Sequence, residues 1–136
     1  MKIFYKTRAT ATGGRSGRTA LDDGSLALDM AMPGSGKTGA NPEQLFAMGY
    51  AACFDNALLV AAKQLGLAPT ATRTSVEVGI GQTAAGGYAL DVDLHVEVHG
   101  LDQSAARKLV EAAHQVCPYS NATRGNIEVR LHVSVA

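Results

Sequence analysis

The sequence predicts an α+β fold with antiparallel sheet. Three observations lead there: segments in which polar and apolar residues alternate, one long apolar stretch with helix punctuation at both ends, and a second segment with apolar residues at helical spacing. The 136 residues suit a single domain spanning 1–136, and no internal repeat, low-complexity tract or long linker divides them.

Lys2 to Ala9 alternates and is expected as a strand, followed by a Gly13-Gly14 turn and a strand from Arg18 to Leu21. Asp22-Asp23-Gly24 then reads as a hairpin turn into a strand from Ser25 to Met32. After the polar loop Pro33 to Ala40, Asn41 is placed to cap a helix, Pro42 suits its first turn and Gln44 completes a capping box. Gly66 stops that helix after Leu65. Its apolar residues, from Leu45 and Phe46 through Cys53 and Phe54 to Leu59, leave little room for a solvent face. Such a helix needs cover on every side, more than one small sheet supplies, so a partner is expected against it.

Past Pro69 the period changes to two, through Val76, Val78 and Ile80 and then through Tyr88, Leu90, Val92, Leu94, Val96 and Val98. Asp91, Asp93, His95, Glu97 and His99 occupy the alternate, wet face of the second run. A helix from about Asp102 to Val116 follows, which Pro118 prevents from continuing, and a last strand runs from Ile127 to Val135.

Composition narrows the function. Lysine plus arginine and aspartate plus glutamate number 12 each and are scattered, which argues against a nucleic-acid or anionic membrane surface. Tryptophan is absent and aromatics are few, so stacking platforms for single-stranded bases are missing. The opening residues contain no apolar signal core, and the apolar run Leu45 to Leu65 carries Asp55, Asn56, Lys63 and Gln64, which reads as a core helix rather than a membrane span. A cytoplasmic chain is therefore expected. There a pair of cysteines is kept reduced, and any pairing between Cys53 and Cys117 would be chemical work.

Two motifs are set aside. Gly36-Lys37-Thr38 ends like a phosphate-binding loop, but Ala31 stands where the motif needs glycine and the helix starts several residues too late. His95, His99 and His132 lie among acids on solvated strand faces, without paired cysteines at zinc spacing, so no metal is expected.

Cys53 taken alone is a small buried hydrophobe, and burial would raise its pKa and make it inert. Activity demands a cation nearby, and the turn Gly13-Gly-Arg-Ser-Gly-Arg18 offers Arg18 and Arg15. Glu43 taken alone is a first-turn acid that complements the helix dipole. Ten residues of helix separate it from Cys53, roughly 15 Å along the axis, so the two could share a site only through a long intermediary or a second chain. Cys117, beside a proline-led turn, suits a thiol that must move to reach another sulfur.

Four stretches together resemble the organic hydroperoxide resistance (Ohr) branch of the Ohr/OsmC family: Tyr5-Lys-Thr-Arg-Ala-Thr-Ala11, Gly13-Gly-Arg-Ser-Gly-Arg18, Gly39-Ala-Asn-Pro-Glu-Gln-Leu-Phe46 running on to Gly49-Tyr-Ala-Ala-Cys-Phe54, and Ala113-His-Gln-Val-Cys-Pro-Tyr-Ser-Asn-Ala122. The resemblance spans essentially the whole chain. It implies an intertwined α+β homodimer with antiparallel sheets wrapped around central helices. It implies a peroxidatic Cys53, a resolving Cys117, and Arg18 and Glu43 as the polar network that polarises the thiolate. The substrate would be an alkyl or fatty-acid hydroperoxide, in a pocket for which Leu45, Phe46, Met48 and Phe54 are candidates. The reductant would be an external dithiol, for which the family points to lipoyl-bearing proteins, and no cofactor is required. The competing readings are an OsmC-like peroxidase of broader substrate range and a non-catalytic thiol sensor or structural dimer.

Overall fold

The structure is a computed structural model that describes Met1–Ala136, in two compact units, Met1–Leu45 and Phe46–Ala136.

The first unit is an antiparallel meander of β1 (Ala9–Thr12), β2 (Arg18–Leu21) and β3 (Ala27–Asp29), in the order β1-β2-β3. A 3-10 turn, Gly14–Ser16, joins β1 to β2. Its closure requires glycine, because a Cβ on Gly17 would sit 1.8 Å from the Thr12 carbonyl oxygen. The strand expected from Lys2 to Ala9 begins only at Ala9: the ladder of β1 with β2 runs from Ala9↔Leu21 to Thr12↔Arg18, and the residues before it have no strand to pair with. Arg8 instead reaches the Asp22 carboxylate, and Ile3, Phe4 and Tyr5 are exposed. The strand expected from Ser25 to Met32 is trimmed to Ala27–Asp29, and Met30 makes an isolated parallel bridge to Ala40.

Helix α1 (Pro42–Leu65) begins as its punctuation predicts. The Gln44 N–H donates to Asn41 Oδ1 at 2.8 Å and the Asn41 N–H donates to Gln44 Oε1 at 2.9 Å, a reciprocal capping box.

In the second unit the long hairpin of β4 (Ala71–Gln82) and β5 (Tyr88–His99) is in register from Ala71↔His99 to Gln82↔Tyr88. Helix α2 (Gln103–Val116) is capped by Asp102, whose side chain accepts from the Ala105 N–H. A six-residue α3 (Pro118–Thr123) and β6 (Val129–Val135) complete the chain. The pairing of β6 with β5 is parallel, where the sequence reading expects antiparallel sheet. The reason is the connection: α2 and α3 carry the chain back along the sheet before β6 starts, which is how parallel neighbours are joined.

Val92, Leu94, Val96 and Val98 form the buried stripe of β5, against Leu109 and Val110 of α2 and Tyr50, Phe54 and Leu58 of α1. Each large side chain so buried contributes about 1.5–3 kcal/mol. Tyr88, at the start of the same stripe, is exposed. Asp55 anchors α1 to β4 by accepting from the Thr72 and Thr74 hydroxyls at 3.0 Å each. Helix α1 is long and apolar enough to cross a membrane by length and composition, yet Tyr50, Phe54, Leu58 and Ala61 bury it in this core. Met48 and Leu59 remain 68% and 57% exposed, an apolar face that one chain leaves uncovered.

Candidate active site

The two cysteines, 64 residues apart in sequence, meet in the second unit. Helix α1 sets Cys53 half-buried, and the break between α2 and α3 sets Cys117 fully buried, with its thiol directed at Cys53 Sγ 3.6 Å away. Pro118 makes the break: it lacks the N–H that would continue α2, and it suits the first position of α3. Cys117 itself has extended backbone (φ −63°, ψ 121°) between the two helices. Both thiols are free, and a disulfide would require the sulfurs to close to about 2.05 Å.

Burial pushes the Cys53 thiol above its ordinary pKa. A hydrogen bond from the Tyr119 backbone N–H pulls it down, and the neighbouring Cys117 thiol pushes it up again. Within one chain the apolar surroundings win, so the thiolate needs a positive charge that this pair of sulfurs does not have. Tyr119 is held tightly. Its ring packs 6.0 Å from Phe46 and 5.6 Å from Tyr50, and a Cβ on Gly49 would meet its hydroxyl at 2.6 Å.

The first unit contains three arginine–carboxylate pairs: Arg8 with Asp22, and one each for Arg15 and Arg18. Arg15, on the 3-10 turn, grips Glu43 with both terminal nitrogens, Nη1 to Oε2 at 2.7 Å and Nη2 to Oε1 at 2.5 Å. This two-pronged pair is partly buried, with the Glu43 side chain 13% exposed. The Arg15 hydrogen bonds hold the Glu43 carboxyl below the usual carboxylate range. Arg18, on β2, instead donates to Asp29 Oδ1 at 2.9 Å, an exposed pair across the β2–β3 ladder. The arginine that engages Glu43 is thus Arg15, the alternative that the sequence raises, and not Arg18. The alternation of β2 sends Arg18 to the strand opposite, whereas the glycine turn lifts Arg15 off the sheet.

Two of the pocket candidates line cavities within their own units. Leu45 lines a cavity of about 150 Å³ with Leu21, Leu26 and Leu28 of the small sheet. Phe46 lines another of about 560 Å³ with Tyr88, Leu90, Ala122 and Ile127. Met48 is exposed, and Phe54 is fully buried in the core.

Of the residues set aside, Lys37 lies in an exposed loop that ends before α1. His95 and His132 stack with ring centroids 4.5 Å apart, and His132 Nε2 is 2.7 Å from Asp93 Oδ1. No three of the histidine, cysteine, aspartate and glutamate side chains converge as a metal site would require.

Sequence reasoning misses three residues beside the thiols. His114 Nδ1 and Tyr50 Oη each lie 2.8 Å from Ser120 Oγ, with Ser120 and Tyr50 fully buried. The available signal was spacing: His114 and Ser120 stand three residues before and after Cys117, and Tyr50 three before Cys53.

Residues 34–132 match the OsmC-like protein family. The chain is 49% identical over 135 residues to an organic hydroperoxide resistance protein of Xanthomonas axonopodis pv. citri, covering 96% of this chain and 94% of that one. It is 43% identical over 133 residues to the organic hydroperoxide resistance protein OhrB of Bacillus subtilis, covering 96% and 98%. The crystal structure of the Bacillus subtilis OhrB superposes with a TM-score of 0.91, over 97% of this chain and 100% of that chain. An organic hydroperoxide resistance protein from Legionella pneumophila, 47% identical, superposes with a TM-score of 0.93 over 98% and 100%. On the sequence and on the fold alike, the chain belongs to the organic hydroperoxide resistance branch of the OsmC-like family.

Proposed function

We propose that the protein is a thiol peroxidase that reduces organic hydroperoxides to alcohols. The observation that carries this reading is the approach of Cys117 Sγ to 3.6 Å from Cys53 Sγ with both thiols reduced. Two free cysteines that close, one fully buried, suit a disulfide that forms and reopens in use.

In the proposed cycle the Cys53 thiolate attacks the terminal oxygen of the hydroperoxide. The O–O bond breaks, the alkoxide takes a proton and leaves as alcohol, and Cys53 becomes a sulfenic acid. Cys117 then condenses with it to a disulfide, with loss of water. An external dithiol reduces that disulfide, and a lipoyl-bearing protein is the class of donor that the family resemblance suggests.

Burial disfavours the thiolate in a single chain, so the reading needs a cation. We assign that role to Arg15, held by Glu43, because a guanidinium stays charged in an apolar setting and its fork is already oriented by the carboxylate. It would lower the energy of the thiolate and steady charge on the leaving oxygen. The exposed Met48 and Leu59 face of α1 supports a homodimer in which a second copy covers that helix and the chain acts as one domain. A cytoplasmic location agrees with a thiol pair kept reduced.

The test is a thiol titration before and after one equivalent of cumene hydroperoxide, beside the same amount of hydrogen peroxide, with mass mapping of the linked peptides. The reading expects rapid loss of both thiols with the organic peroxide, slower loss with hydrogen peroxide, and a Cys53–Cys117 link. Survival of both thiols in folded protein would return Cys53 to a core role and favour a structural dimer.

A further inference from the structure

The break between α2 and α3 that presents Cys117 is tied down on both sides. Ser120 Oγ, fully buried in α3, lies 2.8 Å from His114 Nδ1 on the last turn of α2 and 2.8 Å from Tyr50 Oη on α1. These contacts span the cysteine: one partner lies three residues before it, the other three after, and the third sits one helical turn before Cys53. Thr123 Oγ1 donates to the Ser120 carbonyl oxygen at 3.1 Å, which commits its only hydroxyl proton. At Tyr50, 3.4 Å away, Thr123 can therefore only accept.

The proton count then leaves two directions for the chain, and both link the same three side chains. His114 is held below its ordinary pKa by burial and by the charge of Arg124, so its ring is neutral near pH 7. A neutral ring with Nδ1 bare accepts from Ser120, which accepts from Tyr50; with its proton on Nδ1 it donates to Ser120, Ser120 donates to Tyr50, and Tyr50 donates to Thr123 Oγ1. Either way the three side chains are linked, and no buried side-chain nitrogen or oxygen is left without a partner. The result is a rigid link from the helix that carries Cys53 to both flanks of Cys117.

We propose that His114 and Ser120 are positioning residues for the disulfide-forming step, holding Cys117 Sγ against Cys53 through their hydrogen-bonded link to Tyr50. This rests on the peroxidase reading and concerns only its second stage. There the Cys117 sulfur attacks the sulfenic sulfur of Cys53, the S–S bond forms as the S–O bond breaks, and the departing hydroxide leaves as water with the Cys117 proton. The two sulfurs must close by roughly 1.5 Å, to about 2.05 Å. A corner held in place keeps them close to the reacting geometry, whereas a free corner spreads Cys117 over positions from which it cannot attack. Attack on the peroxide depends less on the corner, because Cys53 lies on a regular helix and meets the corner through the Tyr119 backbone N–H.

The experiment is rapid quench of the full-length protein after one equivalent of cumene hydroperoxide. Sulfenic acid is trapped with dimedone and the free Cys117 thiol is counted by alkylation and mass spectrometry, for wild type, His114→Ala, His114→Asn and Ser120→Ala. The side-chain amide of asparagine can accept from Ser120 or donate to it, as Nδ1 can. The proposal expects sulfenic acid to form within a few-fold of the wild-type rate in all four, since only the Tyr119 N–H ties Cys53 to the corner. Disulfide closure should slow about tenfold in His114→Ala and Ser120→Ala, the kinetic equivalent of one lost hydrogen bond. Closure should recover in His114→Asn. Far-UV circular dichroism checks folding, and the asparagine variant carries the test should an alanine variant unfold. Closure at the wild-type rate in the alanine variants, or an asparagine variant as slow as alanine, overturns the proposal and leaves the peroxidase reading standing. A wild type whose thiols ignore the hydroperoxide overturns the peroxidase reading itself and this inference with it.

Discussion

Arg15 and Glu43 form a two-pronged ion pair, with nitrogen–oxygen distances of 2.5 and 2.7 Å, between a glycine-framed turn and the first turn of α1. The pair orders a long, flexible side chain at the cost of one carboxylate. An arginine so fixed is suited to hold an anion, because its geometry is set before the anion arrives. Arg18 has no such setting: its partner Asp29 is 71% exposed, and an open pair of this kind contributes little.

The two arginines of one turn therefore have different expected fates. Arg15→Ala should lower the rate of Cys53 oxidation by cumene hydroperoxide by about a hundredfold, the usual scale for removing one charge-stabilising donor. Arg18→Ala should stay within a few-fold of wild type. The check is stopped-flow peroxide consumption for both variants; equal losses would return Arg18 to the site.

Glu43 also gives a pH dependence with a definite sign. Hydrogen bonds from Arg15 depress its carboxyl pKa in the folded chain below the ordinary value of about 4.3. Between the folded and unfolded values the unfolded chain holds more protons, so stability rises with pH there. The contribution is present in full above the unfolded value and is lost as pH falls through the folded one. Glu43→Gln should thus lower the melting temperature at pH 7 but leave it little changed at the acid end, which thermal scans from pH 7 down to about pH 3 would register. A difference between the two proteins that grew toward acid would refute the assignment.

How much of this was legible in the chain depends on how local each signal was. The start of α1 was legible because Asn41, Pro42 and Gln44 carry their own capping chemistry, and the hairpin of β4 and β5 because one buried face forces a period of two. The direction of β6 was not. Its residues alternate equally well in either orientation, and only the path of α2 and α3 decides which one the chain can reach. Helix α3 was hidden because Pro118 reads as a stop for α2, and its fitness to open the next helix shows only once Cys117 is seen extended between them. Of the site, both cysteines and Glu43 stood out by residue type. The choice between Arg15 and Arg18 rests on which one the turn lifts off the strand, which composition does not record. His114, Ser120 and Tyr50 escaped notice because each is ordinary alone, and their meaning lies in two distances of 2.8 Å.

Gly49 yields a prediction opposite to helix propensity. In an exposed helix, glycine to alanine gains about 1 kcal/mol. Here the added Cβ would lie 2.6 Å from the Tyr119 hydroxyl and 3.1–3.2 Å from two carbons of its ring. Tyr119 must then tilt away from Phe46 and Tyr50, an overpacking cost of about 1–3 kcal/mol. Gly49→Ala should be neutral to about 2 kcal/mol destabilising in urea unfolding, and part of the loss should return in a Tyr119→Phe background, which removes the nearest atom. A stabilised Gly49→Ala would mean that the ring yields freely.

Cys117→Ser separates the two halves of the chemistry. Serine is close to isosteric, and the full burial of Cys117 beside Cys53 means that little else changes on the protein side. In the proposed cycle the first attack on hydroperoxide depends on Cys53 and its cation, so one equivalent of peroxide should still be consumed at close to the wild-type rate. The sulfenic acid then has no thiol 3.6 Å away to trap it. With excess peroxide it should proceed to sulfinic acid, which an external dithiol does not reverse. The variant should therefore give a single turnover followed by a stall, with Cys53 gaining two oxygens by intact-mass measurement. Sustained turnover with a dithiol donor would show that the donor attacks the sulfenic acid directly, and Cys117 would then protect Cys53 without being obligatory to the cycle.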